Sequence, residues 1–255
     1  MRSKAIEMFG SRRIASGRGV EEAREVLSDV FLPVEFPSAR PTCAVDLTLN
    51  AVSAGRMICG FMRFRDAVRI ETAEAENFHI DIPTSGTAMM RAALGAPVYA
   101  TSRTGSIFMP GRPVELDCSE RFSQVALMIP RDELLLELEN LLGERVTSPL
   151  EFRAELNLGG SGGQAIVHAL RLIDAASAQP DGPLAHPLAA QRLEQMLVQS
   201  LLYGQPHNYS DKLNRPAPAA GSRPVSRAAE LLRSASGAAA VTSLNIGSGT
   251  EKSLK

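Results

Sequence analysis

The sequence predicts an α+β protein: an antiparallel β-barrel or sandwich followed by an α-helical hairpin. Three observations carry this. Between Cys43 and Ile129 the apolar residues recur with period two, in short runs separated by turn residues and with no helical stretch between them. After Pro130 the period lengthens to that of a helix. Two such helical stretches, joined by about ten residues, then predict an antiparallel pair.

The first element is helical. In residues 20–31, VEEAREVLSDVF, the residues Val20, Ala23, Val26, Leu27 and Val30 or Phe31 fall at helical spacing. Pro33 and Pro37 end it and force an extended stretch. Val45, Leu47 and Leu49 then alternate with Ala44, Asp46 and Thr48, and Phe78, Ile80 and Ile82 alternate with His79 and Asp81. Runs 57–64, 68–70, 88–92, 98–100, 106–109, 114–117 and 124–129 complete the strands. Ser85-Gly86, Gly95, Thr104-Gly105 and Pro110-Gly111 supply turns. One face of each strand would point to a shared interior, which a small barrel fills with side chains or leaves open for one ligand.

The helices follow from Arg131-Asp132-Glu133, which places acidic residues in a first turn, with a stripe of Leu134, Leu135, Leu138, Leu141 and Leu142 ended by Gly143. A second helix begins after the glycine-rich run 159–163, with Ile166, Ala169, Leu170 and Ile173 as its buried stripe. A third starts near Pro187, with Leu193, Met196, Leu197, Ser200 and Leu201 as its stripe.

Composition narrows the classes. A net charge of −1 over 255 residues excludes a protein whose whole surface grips nucleic acid. No run approaches the ~20 apolar residues of a membrane span, and the basic N-terminus lacks the apolar core of a secretory signal, so a cytoplasmic protein is expected. Cys43, Cys59 and Cys118 are too widely spaced for a zinc or redox motif and read as buried thiols. The methionines on strands, among them Met57, Met62, Met89 and Met90, read as core filling.

Two patterns point to catalysis. Gly159-x-Ser161-x-Gly163 matches a nucleophile elbow, with Asp174, Asp181, His186 and His207 downstream. An elbow needs a parallel sheet with alternating helices, which this pattern lacks, so the glycines read as a loop ending in a serine N-cap. His79-x-Asp81 matches half of a non-haem iron site, but the remaining histidines fall outside the strand region, and His79 reads as a residue on the polar face of a surface strand. An iron enzyme using His79 and Asp81, and a serine hydrolase using Ser161, are the alternatives to a binding protein. No metal or cofactor is expected.

Residues 104–135 and 186–209 carry a resemblance. The Pro110-Gly111-Arg112-Pro113 turn, the Ile129-Pro130-Arg131-Asp132 strand-to-helix step and Leu201-Leu202 followed by His207-Asn208-Tyr209 resemble the N-terminal half of AraC-type transcription regulators. The resemblance spans residues 20–233. It implies a cupin-like antiparallel β-barrel that senses a small-molecule effector, and helices that pair subunits into a homodimer, with Leu193, Met196, Leu197 and Leu201 as candidate dimerisation residues. It also implies a C-terminal domain with two helix-turn-helix motifs.

The chain is accordingly read as an N-terminal arm with a short helix (1–40), a sensor barrel (41–130), a helical region (131–214), a Pro/Ala/Gly linker (215–223), the first helix of a truncated helix-turn-helix domain (224–234) and a disordered tail (235–255). Arg223, Arg227 and Arg233 could touch phosphate, but one helix cannot specify a DNA site. DNA binding is therefore expected only through a domain missing from this sequence.

Overall fold

The computed structural model describes residues 7–37, 44–92 and 95–215. Cys43, the linker, the helix expected at 224–234 with Arg223, Arg227 and Arg233, and the tail lie outside them.

The strands form two antiparallel sheets, and neither closes. The larger holds seven strands in the order β1 (Arg13–Gly19), β3 (Ala44–Ala54), β4 (Met57–Phe64), β11 (Ser123–Ile129), β6 (Phe78–Ser85), β9 (Thr104–Phe108) and β12 (Glu155–Asn157). The smaller holds β2 (Val34–Glu35), β5 (Val68–Thr72), β10 (Val114–Cys118), β7 (Ala88–Ala92) and β8 (Val98–Ala100). The expected cupin-like closed barrel is thus corrected to two open sheets.

The reason is visible at both margins. On one side, helix α1 (Val20–Val30) lies against β1 and β3 of the larger sheet, and the following β2 pairs with β5 of the smaller one. The helix, with Val20, Ala23 and Leu27 buried, takes the place where a ladder would have to form. On the other side the larger sheet ends at β12, and the chain passes from β8 to the inner strand β9 through the single bridge of Thr101 with Thr104, without a shared ladder.

The central strands are buried on both faces. On β4, Met57, Cys59 and Phe61 point to the helices, whereas Met62 and Phe64 point to the second sheet. On β11, Val125, Leu127 and Ile129 take the helix side and Ala126 the inter-sheet side. Two apolar cores therefore share one sheet, as a three-layer protein requires.

The helix layer holds α2 (Arg131–Leu142), α3 (Ser161–Ser177) and α4 (Pro187–Gly204), followed by the short α5 (Ser210–Leu213). The start of α3 touches the end of α4, where a Cβ on Gly162 or Gly204 would collide with the other glycine's backbone. A Cβ on Gly163 would likewise meet the backbone of Asn157 and Leu158. The glycine run is therefore a packing device between helix, helix and strand. Ser161 is the first residue of α3, and the N-cap is Gly160 without a side-chain cap, which corrects the expected serine cap.

The N-terminal arm holds structure that its sequence does not announce. Phe9 is fully buried in the helix-side core, and its N–H donates to Asp174 Oδ1 of α3 at 2.5 Å. Asn50 Nδ2 of β3 donates to Met8 O at 2.8 Å. The arm thus ties α3 to the seven-stranded sheet before running on as its edge strand β1.

Candidate functional site

Among the strands that face the second sheet, β6 brings two polar side chains inward. His79 is 6% exposed and Asp81 is fully buried. Residues two apart on a strand share a face, and here that face is the inter-sheet one, because Phe78, Ile80 and Ile82 occupy the helix side. The surface position expected for His79 is corrected: the five-stranded sheet covers the face that its period-two pattern marks as polar.

Register adds a third residue. Strand β11 lies between β4 and β6, with Ala126 opposite both Gly60 and Asp81. Gln124, on the same face of β11 and 1% exposed, donates from Nε2 to Asp81 Oδ1 at 2.8 Å. His79 Nε2 lies 3.1 Å from the same oxygen. One carboxylate oxygen is therefore shared by two partners. His79 Nδ1, Asp81 Oδ2 and Gln124 Oε1 are buried and have no hydrogen-bond partner among the described residues. Buried polar atoms are normally paired, and leaving one unpaired costs about 1–3 kcal/mol, more when charged. Three such atoms lie on the hydrogen-bonded side chains of one cluster.

The surrounding wall is apolar. His79 and Gln124 border a cavity of about 30 Å³ together with Phe31, Met62, Ile70 and Leu116. This is room for about one water molecule. Small residues at Gly60 and Ala126 hollow the sheet, and the ring of Phe31, just beyond α1, fills the hollow: a Cβ on Gly60 would collide with it. Cys118 faces the same core from β10, where burial, and after it the charge of Asp81, push its thiol well above the usual range. Cys59, on the helix side, is pushed up by burial as well. Both thiols are inert as nucleophiles.

The residues of the hydrolase alternative do not assemble. Ser161 is exposed, and among the described residues its hydroxyl has no histidine or carboxylate hydrogen-bond partner. Asp174 is bound to the Phe9 N–H. His207 is half of a clamp: its Nε2 lies 2.9 Å from Leu202 O, and its Nδ1 accepts the Tyr209 N–H at 3.2 Å. Asn208 and Tyr209 complete that clamp, Asn208 Nδ2 donating to Pro149 O at 2.8 Å and the Tyr209 hydroxyl to Ser148 O at 2.9 Å. The His-Asn-Tyr run thus fastens the loop after α2 to the end of α4. For the iron alternative, no three His, Cys, Asp or Glu side chains among the described residues stand close enough to hold a metal ion.

The four α4 residues divide into two pairs. Leu197 and Leu201 are fully buried in the helix–sheet core, whereas Leu193 and Met196 are partly buried against it. The face of α4 away from the sheet exposes Leu188 and Tyr203. At its inner edge Glu194 is buried against the β3–β4 turn, where its Oε2 accepts the Arg56 N–H at 3.2 Å. The Arg56 side chain reaches Asp132 and Glu133 of α2 at 2.6 and 2.8 Å. No helix among the described residues is long and apolar enough to cross a membrane.

Two layers of comparison agree with this architecture. Residues 23–203 match the AraC-binding-like domain, and the chain belongs to that family of ligand-binding and dimerisation domains of transcription regulators. It is 27% identical over 215 residues to the probable thc operon regulatory protein of Rhodococcus erythropolis, a match covering 78% of this chain and 61% of that one. The chain thus spans less than two thirds of that relative. Its fold is similar to that of the AraC-like transcriptional activator CuxR, with a TM-score of 0.52 at 13% identity, covering 76% of this chain and 71% of the other.

Proposed function

We propose that this chain senses a small effector between its two sheets and pairs with a second copy through the outer face of α4. The observation that carries the sensing reading is the unpaired His79–Asp81–Gln124 cluster, buried beside a cavity that Phe31 plugs. An effector that enters must displace the plug, and Phe31 follows α1 directly. By linkage, it shifts the arrangement only as far as it binds the two arrangements with different affinity. The pairing reading draws on exposed Leu188 and Tyr203, with Met196 and Leu193 beside them. Leu197 and Leu201 serve it indirectly, holding α4 to the sheet. The helix also touches the β3–β4 turn through Glu194, so a change in the sheet has a bonded route to the pairing face. Catalysis by His79 or Ser161 forms no part of this reading, and DNA contact is assigned to none of the described residues.

Sedimentation velocity of the purified chain at about 50 µM, where a weak micromolar dimer is populated, tests the pairing. A dimer that Tyr203→Glu and Met196→Glu dissociate is expected. A strictly monomeric wild type overturns it. For sensing, compounds that raise the melting temperature of the wild type and lose that effect on Gln124→Met are expected.

A further inference from the structure

Taking the inter-sheet space as the effector site, as proposed above, we infer that the effector is a small cationic amine carrying an apolar body about the size of one phenyl ring.

The polar end follows from what is left unpaired. Asp81 Oδ2 and Gln124 Oε1 accept hydrogen bonds, and the amide nitrogen of Gln124 is already committed to Asp81. His79 Nε2 lies against Asp81 Oδ1, which turns Nδ1 away from that carboxylate. Two acceptor oxygens on hydrogen-bonded neighbouring side chains call for a ligand that donates, and an ammonium group offers three N–H donors. Charge selects the ammonium over a hydroxyl. Asp81 is fully buried, and among the described residues no lysine or arginine pairs with it. A buried carboxylate whose ion-pair partner is a histidine alone gains from a second, permanent cation, which a ligand ammonium supplies. A ligand carboxylate would find no donor at either of these two oxygens.

The apolar end follows from the plug. The Phe31 ring rests on Gly60, two strands from Asp81 along the row Gly60, Ala126, Asp81. The remaining space of about 30 Å³ admits no second ring beside it. A ligand body therefore enters by taking the place of that ring, among Met62, Ile70 and Leu116. Benzylamine, the phenylalanine side chain with an ammonium attached, is the minimal probe.

The test titrates the full chain with four probes of one shape: benzylamine, benzyl alcohol, benzoate and toluene. Binding is followed by calorimetry and by ligand-observed NMR, up to roughly 10 mM so that weak binding is seen. Wild type is expected to bind benzylamine about tenfold more tightly than benzyl alcohol, and benzoate most weakly. Asp81→Asn, nearly isosteric, is expected to reduce that preference to threefold or less while toluene binding persists. Gln124→Met keeps the charge and is expected to weaken benzylamine while keeping its lead over benzoate, which preserves the test where Asp81→Asn does not fold. If toluene binds but benzyl alcohol or benzoate equals benzylamine, the site stands and the amine assignment falls. A preference that survives unchanged in both variants places the amine elsewhere and overturns it too. If none of the four binds wild type or Phe31→Ala, whose plug is removed, the sensing site itself is overturned.

Discussion

The two faces of the seven-stranded sheet are built from the same strands to opposite ends. On the helix side, Phe61, Ile80, Val125 and Leu127 are fully buried among apolar neighbours. On the inter-sheet side, the intervening residues leave a hollow at Gly60 and Ala126, a phenylalanine plug and three unpaired polar atoms. One face is almost wholly apolar and holds the fold, with Glu194 Oε1 unpaired where α4 meets it; the other gathers the unpaired atoms of His79, Asp81 and Gln124. On the proposed reading, stability and sensing are separated by the period of a strand, so that adjacent residues such as Ile80 and Asp81 answer to different requirements.

This contrast can be broken most sharply on the helix side. Ile80→Ala removes a fully buried side chain from the apolar core and is expected to lower the unfolding free energy by about 2–5 kcal/mol in urea denaturation. Asp81→Asn, one residue on, is expected to change it by less than about 1 kcal/mol, because an amide of nearly the same shape keeps an acceptor for the Gln124 N–H. A loss as large for Asp81→Asn as for Ile80→Ala would mean that the polar cluster is a structural network and the two faces are alike. Between these lies Gly162→Ala. Its new Cβ has no space against the Gly204 backbone, so α3 and α4 must part, at a cost of about 1–3 kcal/mol seen as a lowered melting temperature. An unchanged melting temperature would show that the helix pair yields without strain.

The same contrast explains what the sequence discloses. The strands and the three long helices are written in local periodicity: Val45, Leu47 and Leu49 alternate, and the leucines after Pro130 recur at helical spacing. The resemblance is carried by the order of the turns and by the His207–Tyr209 run, which lies past the matched residues 23–203 and which the structure uses as a clamp. Closure is not local. Whether β1 and β2 pair is decided by where α1 packs, and a period-two pattern is the same in a barrel and in two open sheets. The site is less legible still. An alternation of Ile with His and Asp is the pattern of a half-exposed strand, and only the presence of a second sheet turns its polar face inward. Gln124 carries no signal of its own, because the register that sets it beside Asp81 joins strands more than forty residues apart in sequence. The Phe31 plug is betrayed only by Gly60, a strand glycine, which marks a close approach once the partner is known.

The smallest expected effect concerns the other buried carboxylate, on the helix side. Burial raises the pKa of Glu194, Glu133 raises it further, and the N–H of Arg56 with its guanidinium pull it back only in part. A carboxyl whose folded pKa lies above its unfolded value stabilises the fold below the unfolded value, and that contribution is lost as pH rises through the folded value. Ionised Glu194 is therefore a net burden at neutral pH. Glu194→Gln keeps an acceptor for the Arg56 N–H and carries no charge. Its melting temperature is expected to equal that of the wild type near about pH 4, where the carboxyl is protonated, and to exceed it as pH rises toward 8, by no more than about 3 °C in a domain of this size. Asp81→Asn measured alongside sharpens the comparison. If Glu194→Gln shows a gain that does not vary with pH, or a loss that grows as pH rises, then the carboxylate is serving the α4 contact as an ion, and the helix face also relies on a buried charge.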